Sequence, residues 1–268
     1  DRDFNHPSVI MYSIGNEVSE PARPEGIEVV RAMVSYLRQA DPNRAVTGGF
    51  NLMIISNAAK GKGIYDENGE GRDDSAEKKM SGMNSTMFNM IASMVGTGMN
   101  KGANSKKADA VTTPVLDALD IAGYNYASGR YPLEGKAHPN RVIYGSETFP
   151  QDIAKNWAMV RKYPYLVGDF MWTAIDYLGE SQGWPAKGWE QGVFDIALEP
   201  KPKAYYMKSF FKAEEPMVHI AVIDSKGDQM WNGVQTGNDG MSDHWNRKPG
   251  SKLNIITYTN ADEGELFV

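Results

Sequence analysis

Ser8-Val9-Ile10-Met11-Tyr12-Ser13-Ile14-Gly15-Asn16-Glu17 is an almost continuous apolar run that stops at a glycine, an amide and a carboxylate. Apolar side chains without alternation predict a parallel strand buried on both faces over residues 8–14. Four comparable runs follow. Arg44 to Phe50 is a short strand with Gly48 and Gly49 near its end. Asp120 to Tyr126, Arg141 to Glu147 and Tyr165 to Ile175 are the third, fourth and fifth. Between them the apolar spacing turns helical. Ile27, Val30, Met33, Val34 and Leu37 mark one face of a helix from Glu25 to Ala40, stopped at Asp41-Pro42. Further helices are expected at Thr86–Val95, where the methionines read as helix core, and at 114–119, 152–162 and 203–211. Residues 57–80 are polar and Gly-rich and read as a long surface loop.

Strand and helix alternating in this way predict parallel βα units, an α/β fold. Near residue 214 the rhythm changes. The runs 218–222 and 253–258 are strands with no helix between them, as at the start of an all-β sandwich. The expected division is 1–213 and 214–268.

The 268 residues carry a formal charge of -6 and include no cysteine, which excludes thiolate nucleophiles, disulfides and cysteine-held metals. A pI near 5.3, with lysines and arginines scattered, argues against nucleic-acid binding. The basic cluster from Lys101 to Lys107 reads as a solvated loop or helix end. No apolar run reaches the roughly 18 residues of a membrane span. The chain opens on Asp1-Arg2-Asp3-Phe4-Asn5-His6-Pro7 without a starter methionine and reads as a piece of a longer protein. Composition does not choose between bacterial cytoplasm, cell surface and secretion, and it leaves a homo-oligomer open. His6, His138 and His219 show no ligand spacing, so neither a protein-bound metal nor another cofactor is expected.

The chemistry-bearing residues fall at strand ends. The first run closes on Asn16-Glu17, the third on Asn125-Tyr126, the fourth on Glu147, and the fifth carries Trp172 and Asp176. In a parallel barrel the active site lies at that end of the strands. Two carboxylates there, with a tyrosine and a tryptophan, suit a sugar site: one protonates the leaving oxygen, the other attacks the anomeric carbon, and an aromatic ring covers the apolar sugar face. Either glutamate alone could equally be an acid placed at a helix N-terminus.

The whole stretch from Arg2 to Glu17 resembles the acid/base signature of glycoside hydrolase family 2, which contains β-galactosidases, β-glucuronidases and β-mannosidases. The resemblance implies that Glu17 is the general acid/base and that Asn16 binds the sugar 2-hydroxyl. Tyr144-Gly145-Ser146-Glu147-Thr148 is similar to the seventh barrel strand, which makes Glu147 the nucleophile. Phe170-Met171-Trp172-Thr173-Ala174-Ile175-Asp176-Tyr177 is similar to the eighth, with Trp172 as the floor of the sugar subsite. Gly192 to Asp195 and Lys201 to Tyr206 resemble the closing turn and last helix. The family places a tyrosine against the nucleophile. Tyr126 is the first choice and Tyr124 the second, since alternation puts both on one face. Asn125 joins them as a substrate contact, and Trp184, in the loop after the fifth run with Trp189, extends the sugar platform.

The resemblance implies a (β/α)8 TIM barrel of which strands four to eight are present, followed by the start of the sandwich. Strands one to three and the family's N-terminal domains, which contribute further sugar contacts, are then the missing partners. It implies double displacement with retention, on β-galactosides first, with β-glucuronides and β-mannosides as alternatives. For β-glucuronides the resemblance implies an Asn-x-Lys recognition pair on a loop, and no convincing one is seen. This mechanism requires a raised pKa on Glu17 and an ionised Glu147. A non-catalytic carbohydrate-binding protein is the competing class. An aldolase or metal-dependent hydrolase would need a strand-end lysine or clustered histidines, which the runs lack. Half a barrel would also leave two open sheet edges and be prone to aggregation.

Overall fold

Five strands lie side by side in chain order: β1 (Met11–Asn16), β2 (Ala45–Phe50), β3 (Ile121–Asn125), β4 (Ile143–Thr148) and β5 (Leu166–Met171). β1 to β4 pair in parallel. The structure, a computed structural model, describes residues 2–61, 102–149, 152–179, 188–189, 192–212, 214–224, 228–231, 234–236 and 240–267. They divide into two compact units. The first comprises 2–61, 102–148 and 158–170, and so holds the parallel sheet; the second comprises the rest.

In the first unit, the helix Pro24–Ala40 buries Ile27, Val30 and Val34. They share a core with Val46 and Phe50 of β2, Ala122 and Tyr124 of β3, Ile143 of β4 and Leu166 of β5. Each fully buried side chain of this size contributes roughly 1.5–3 kcal/mol. Met33, expected on the buried face, is 41% exposed, because the buried stripe is narrower than the apolar spacing suggests. β1 lies at one edge of the sheet that these residues form, with its residues part-buried or exposed. β5, at the other edge, exposes Val167 and Phe170. It ends at Met171, short of the expected Ile175.

Three helices differ from the sequence reading. The one expected at 114–119 spans Lys106–Leu116, with Pro114 inside it. Its start is set by Ser105, whose hydroxyl accepts from the Ala108 N–H at 3.1 Å. Lys106 and Lys107, from the basic cluster read as a solvated loop or helix end, lie in its first turn. Leu52–Ala58 and Tyr131–Ala137 are short helices that periodicity could not reveal. The helix expected at 86–95 and most of the loop expected at 57–80 lie outside the described residues.

Tyr131–Ala137 is anchored by charge. Glu134 is fully buried and accepts from Arg130 and, at 3.0 Å, from Arg141. Arg130 also donates to Asp109 at 2.6 Å, and Arg141 donates to Asp117 at 2.6 Å. His138 meets Asp109 at 2.9 Å. Each buried charge is matched and hydrogen-bonded, the condition under which burying it is tolerable.

The second unit contains the helix Pro202–Phe211 and a three-stranded antiparallel sheet ordered Met241–Ser242, Val218–Ile223, Asn254–Thr259. Two-stranded pairs join Tyr177–Leu178 to Gly188–Trp189 and Asp228–Trp231 to Val234–Thr236. Tyr205 of the helix stacks on His219 of the sheet at 3.6 Å. The Asn260 amide donates to the carbonyls of Lys212 and Glu215 and accepts from the Met217 N–H.

Candidate active site

The C-terminal ends of β1 to β4 meet around a glycine. Asn16 pairs with Gly49, Gly49 with Gly123, and Asn125 with Glu147. A Cβ at Gly49 would stand 2.7 Å from Asn16 Oδ1, 3.0 Å from Asn125 Oδ1 and 3.2 Å from Ser146 Oγ. The absence of a side chain there lets three polar groups from β1, β3 and β4 converge. Ser146 Oγ donates to Asn125 Oδ1 at 2.5 Å, and Asn125 Nδ2 donates to Asn16 Oδ1 at 3.0 Å. Each amide oxygen is thereby committed as an acceptor, so each amide nitrogen is left to donate.

Those donations go to Glu147. Asn16, Asn125 and Tyr126 all hydrogen-bond to its carboxylate. Burial, and then the charge of Glu17, push the Glu147 pKa up to about 7, while the three donors hold it down. Glu147, expected to stay ionised, thus holds its proton more tightly than an ordinary carboxyl group. The cause is position: β4 lies inside the sheet, where its carboxylate loses more water than sequence alone reveals.

Glu17 and Tyr126 share an uncommon backbone. Both have left-handed φ, 51° and 54°. Non-glycine residues in that region are strained by roughly 1–3 kcal/mol and persist only where their surroundings enforce it. Here the Glu17 N–H donates to Gly49 O at 2.9 Å, and the Tyr126 N–H donates to Glu147 O at 2.7 Å. Each residue turns out of its strand while staying tied to the neighbouring one. Asn51, just past β2, donates from Nδ2 to Glu17 Oε1 at 3.0 Å.

Tyr124 does not join the site. It was expected on the face of Tyr126 as a substrate contact, but it is fully buried in the core, with its hydroxyl accepting from Arg141 at 3.4 Å. The pairing register shifts between Tyr124 and Asn125, and Tyr126 leaves the extended conformation, so the two-residue alternation does not carry through. Burial raises the Tyr124 phenol well above its ordinary pKa.

Trp172 belongs to the second unit. It is 37% exposed and meets Tyr177 edge to face, with ring centres 5.9 Å apart. Asp176, also at the end of the fifth run, is a structural anchor: it binds Lys201 Nζ at 2.7 Å and accepts from the Gly192 N–H at 2.8 Å. Trp184 lies outside the described residues.

Asp109, Glu134 and His138 offer ligand atoms within 4.8 Å of one another. Arg130 and Arg141 already hold both Glu134 oxygens, and Arg130 also holds Asp109, so two positive charges stand where a cation would sit.

The sequence reading missed Gly49, Ser146 and Asn51. For Asn51 a signal existed: an Asn directly before the apolar run Leu52-Met53-Ile54-Ile55 has the form of a helix N-cap.

Residues 1–213 match the profile described as glycosyl hydrolases family 2, TIM barrel domain. Among curated proteins, the chain is 27% identical over 314 residues to the β-galactosidase BoGH2A of Bacteroides ovatus, covering all of this chain and 32% of that protein. It is 26% identical over 286 residues to a protein of Formosa agariphila provisionally named a β-glucuronidase, of which it covers 24%. Among solved structures, a glycosyl hydrolase family 2 member from Bacteroides cellulosilyticus superposes with a TM-score of 0.66 at 25% identity, over 97% of this chain and 28% of that one. The chain therefore spans about a third or less of the length of these relatives.

Proposed function

The chain belongs to glycosyl hydrolase family 2, and from that premise we propose that it carries the two catalytic carboxylates of a retaining exo-β-glycosidase, acting first on terminal β-galactosides. The supporting observation is the gathering of three hydrogen-bond donors on Glu147, with Glu17 near enough to raise its pKa. Two interacting carboxylates near neutral pH share one proton and titrate as a pair. The donors on Glu147 work against that rise by favouring its charged form, the form that attack on the anomeric carbon requires.

In the proposed reaction, Glu147 attacks the anomeric carbon while Glu17 gives its proton to the leaving oxygen. The carbon–oxygen bond breaks and a glycosyl ester forms on Glu147. Glu17, now a base, takes a proton from water, whose oxygen displaces Glu147 and releases the sugar with retained configuration. The carboxyl groups would stand roughly 5–5.5 Å apart. Asn16 would contact the sugar, whereas Asn125, 1% exposed and committed to Ser146, Asn16 and Glu147, would orient Glu147. Residues 1–213 would supply barrel strands four to eight and 214–268 the start of a sandwich, with the rest of the barrel contributed by the longer protein.

The test is hydrolysis of nitrophenyl β-galactoside, β-glucuronide and β-mannoside by the full-length protein, beside Glu147→Ala and Glu17→Ala. Loss of turnover on one sugar in Glu147→Ala, with azide restoring it as the inverted glycosyl azide, supports the nucleophile and names the substrate. Turnover of the glucuronide alone would move the substrate to that of the second named relative. No turnover of any of the three would favour a binding-only role.

A further inference from the structure

We infer that Asn51 selects which oxygen of Glu17 carries the catalytic proton, an inference that rests on the acid/base role proposed for Glu17. Asn51 is almost completely buried and does two jobs with one amide. Its Oδ1 caps the helix Leu52–Ala58, accepting from the N–H groups of Met53 at 3.1 Å and Ile54 at 3.3 Å. An Asn side chain can be flipped without changing its shape, but here a flip would face an NH2 group against two helix N–H donors. The cap therefore fixes the amide. Its Nδ2 then points at Glu17 Oε1, at 3.0 Å.

A permanent donor at Oε1 has a chemical consequence. In a protonated carboxyl group the carbonyl oxygen is the strong acceptor and the hydroxyl oxygen a poor one. The N–H of Asn51 stabilises the form in which Oε1 is the carbonyl, so Oε2 bears the proton and delivers it. Once Glu17 is ionised, the same N–H bonds to a charged oxygen, which is the stronger interaction. The same N–H thus also favours the ionised form of Glu17. The helix matters because it makes the donor's orientation independent of the substrate. Asn51 is a positioning residue, acting through Glu17.

Asn51→Ser and Asn51→Thr test this in the full-length protein. Both replacements retain an uncharged oxygen suited to the helix cap, and neither has an N–H to offer Glu17. The expected result is a kcat/KM about tenfold lower for a glycoside with an alkyl leaving group, which needs protonation. For a dinitrophenyl glycoside, which does not, it stays within about twofold. The basic limb of the pH profile moves to higher pH in both variants, while the thermal midpoints stay near the wild type. Equal loss on both substrates, an unshifted basic limb, or no loss at all overturns the inference. Glu17→Ala on the same two substrates separates the failures. If its loss depends on the leaving group, the acid role stands and the Asn51 variants judge the inference alone. If it does not, both fall together.

Discussion

Asn125 and Glu147 are direct register partners across β3 and β4, and the Asn125 amide hydrogen-bonds the Glu147 carboxylate. Asn125 is buried to 1% exposure and its oxygen is already taken by Ser146. The donor facing Glu147 is therefore held by the sheet rather than by the ligand, which is the pre-organisation that charge stabilisation needs.

Glu147 should make the protein less stable as pH rises. Its folded pKa, about 7, lies above the ordinary 4.5. A carboxyl group with a raised folded pKa contributes its stability below the unfolded value, and that contribution is lost as pH climbs through the folded value. Glu147→Gln, which cannot ionise, is expected to melt above the wild type near pH 8, with the gap closing towards pH 5. Melting curves across this range check it; a gap that widens on acidification would contradict the assignment.

Gly49→Ala should impair catalysis more than folding. Its backbone is not among the left-handed glycines, so alanine brings no such strain. The new methyl would nonetheless press on Asn16, Asn125 and Ser146. Displacing catalytic donors by a fraction of an ångström is expected to lower kcat/KM by about tenfold to a hundredfold. Steady-state kinetics paired with thermal melting measure the two effects together.

Tyr126→Phe and Tyr124→Phe should behave oppositely, although the residues are two apart. Tyr126 donates to Glu147, so removing its hydroxyl raises the Glu147 pKa further and moves the acid limb of the kcat/KM profile to higher pH. Tyr124 is fully buried in the core, with its hydroxyl on Arg141. Its loss is expected to cost about 1 kcal/mol of stability or less and to leave the rate within about twofold.

Glu134→Gln should be strongly destabilising without any role in chemistry. It leaves Arg130 and Arg141 facing a neutral group at a fully buried position. Breaking a buried pair from one side costs about 3–5 kcal/mol. Denaturant titration at neutral pH gives the measurement.

The strands were legible because buried parallel strands need unbroken apolar runs, and those runs can be seen one residue at a time. The two glutamates were legible because each follows such a run directly and lies in a motif long enough to be specific. The short helices 52–58 and 131–137 were not, since seven residues hold too little periodicity to separate them from a loop.

By itself the sequence determined the order of βα units and the family to which residues 1–213 belong. Tertiary structure alone decided which tyrosine meets Glu147, because a register shift between Tyr124 and Asn125 overrides the alternation that made the two equivalent. It decided that Gly49 and Asn51 matter, since their partners lie 33 (49 - 16) and 34 (51 - 17) residues away on another strand. It also placed the raised pKa on Glu147, because desolvation depends on what surrounds a carboxylate in space, and side-chain identity carries no record of that.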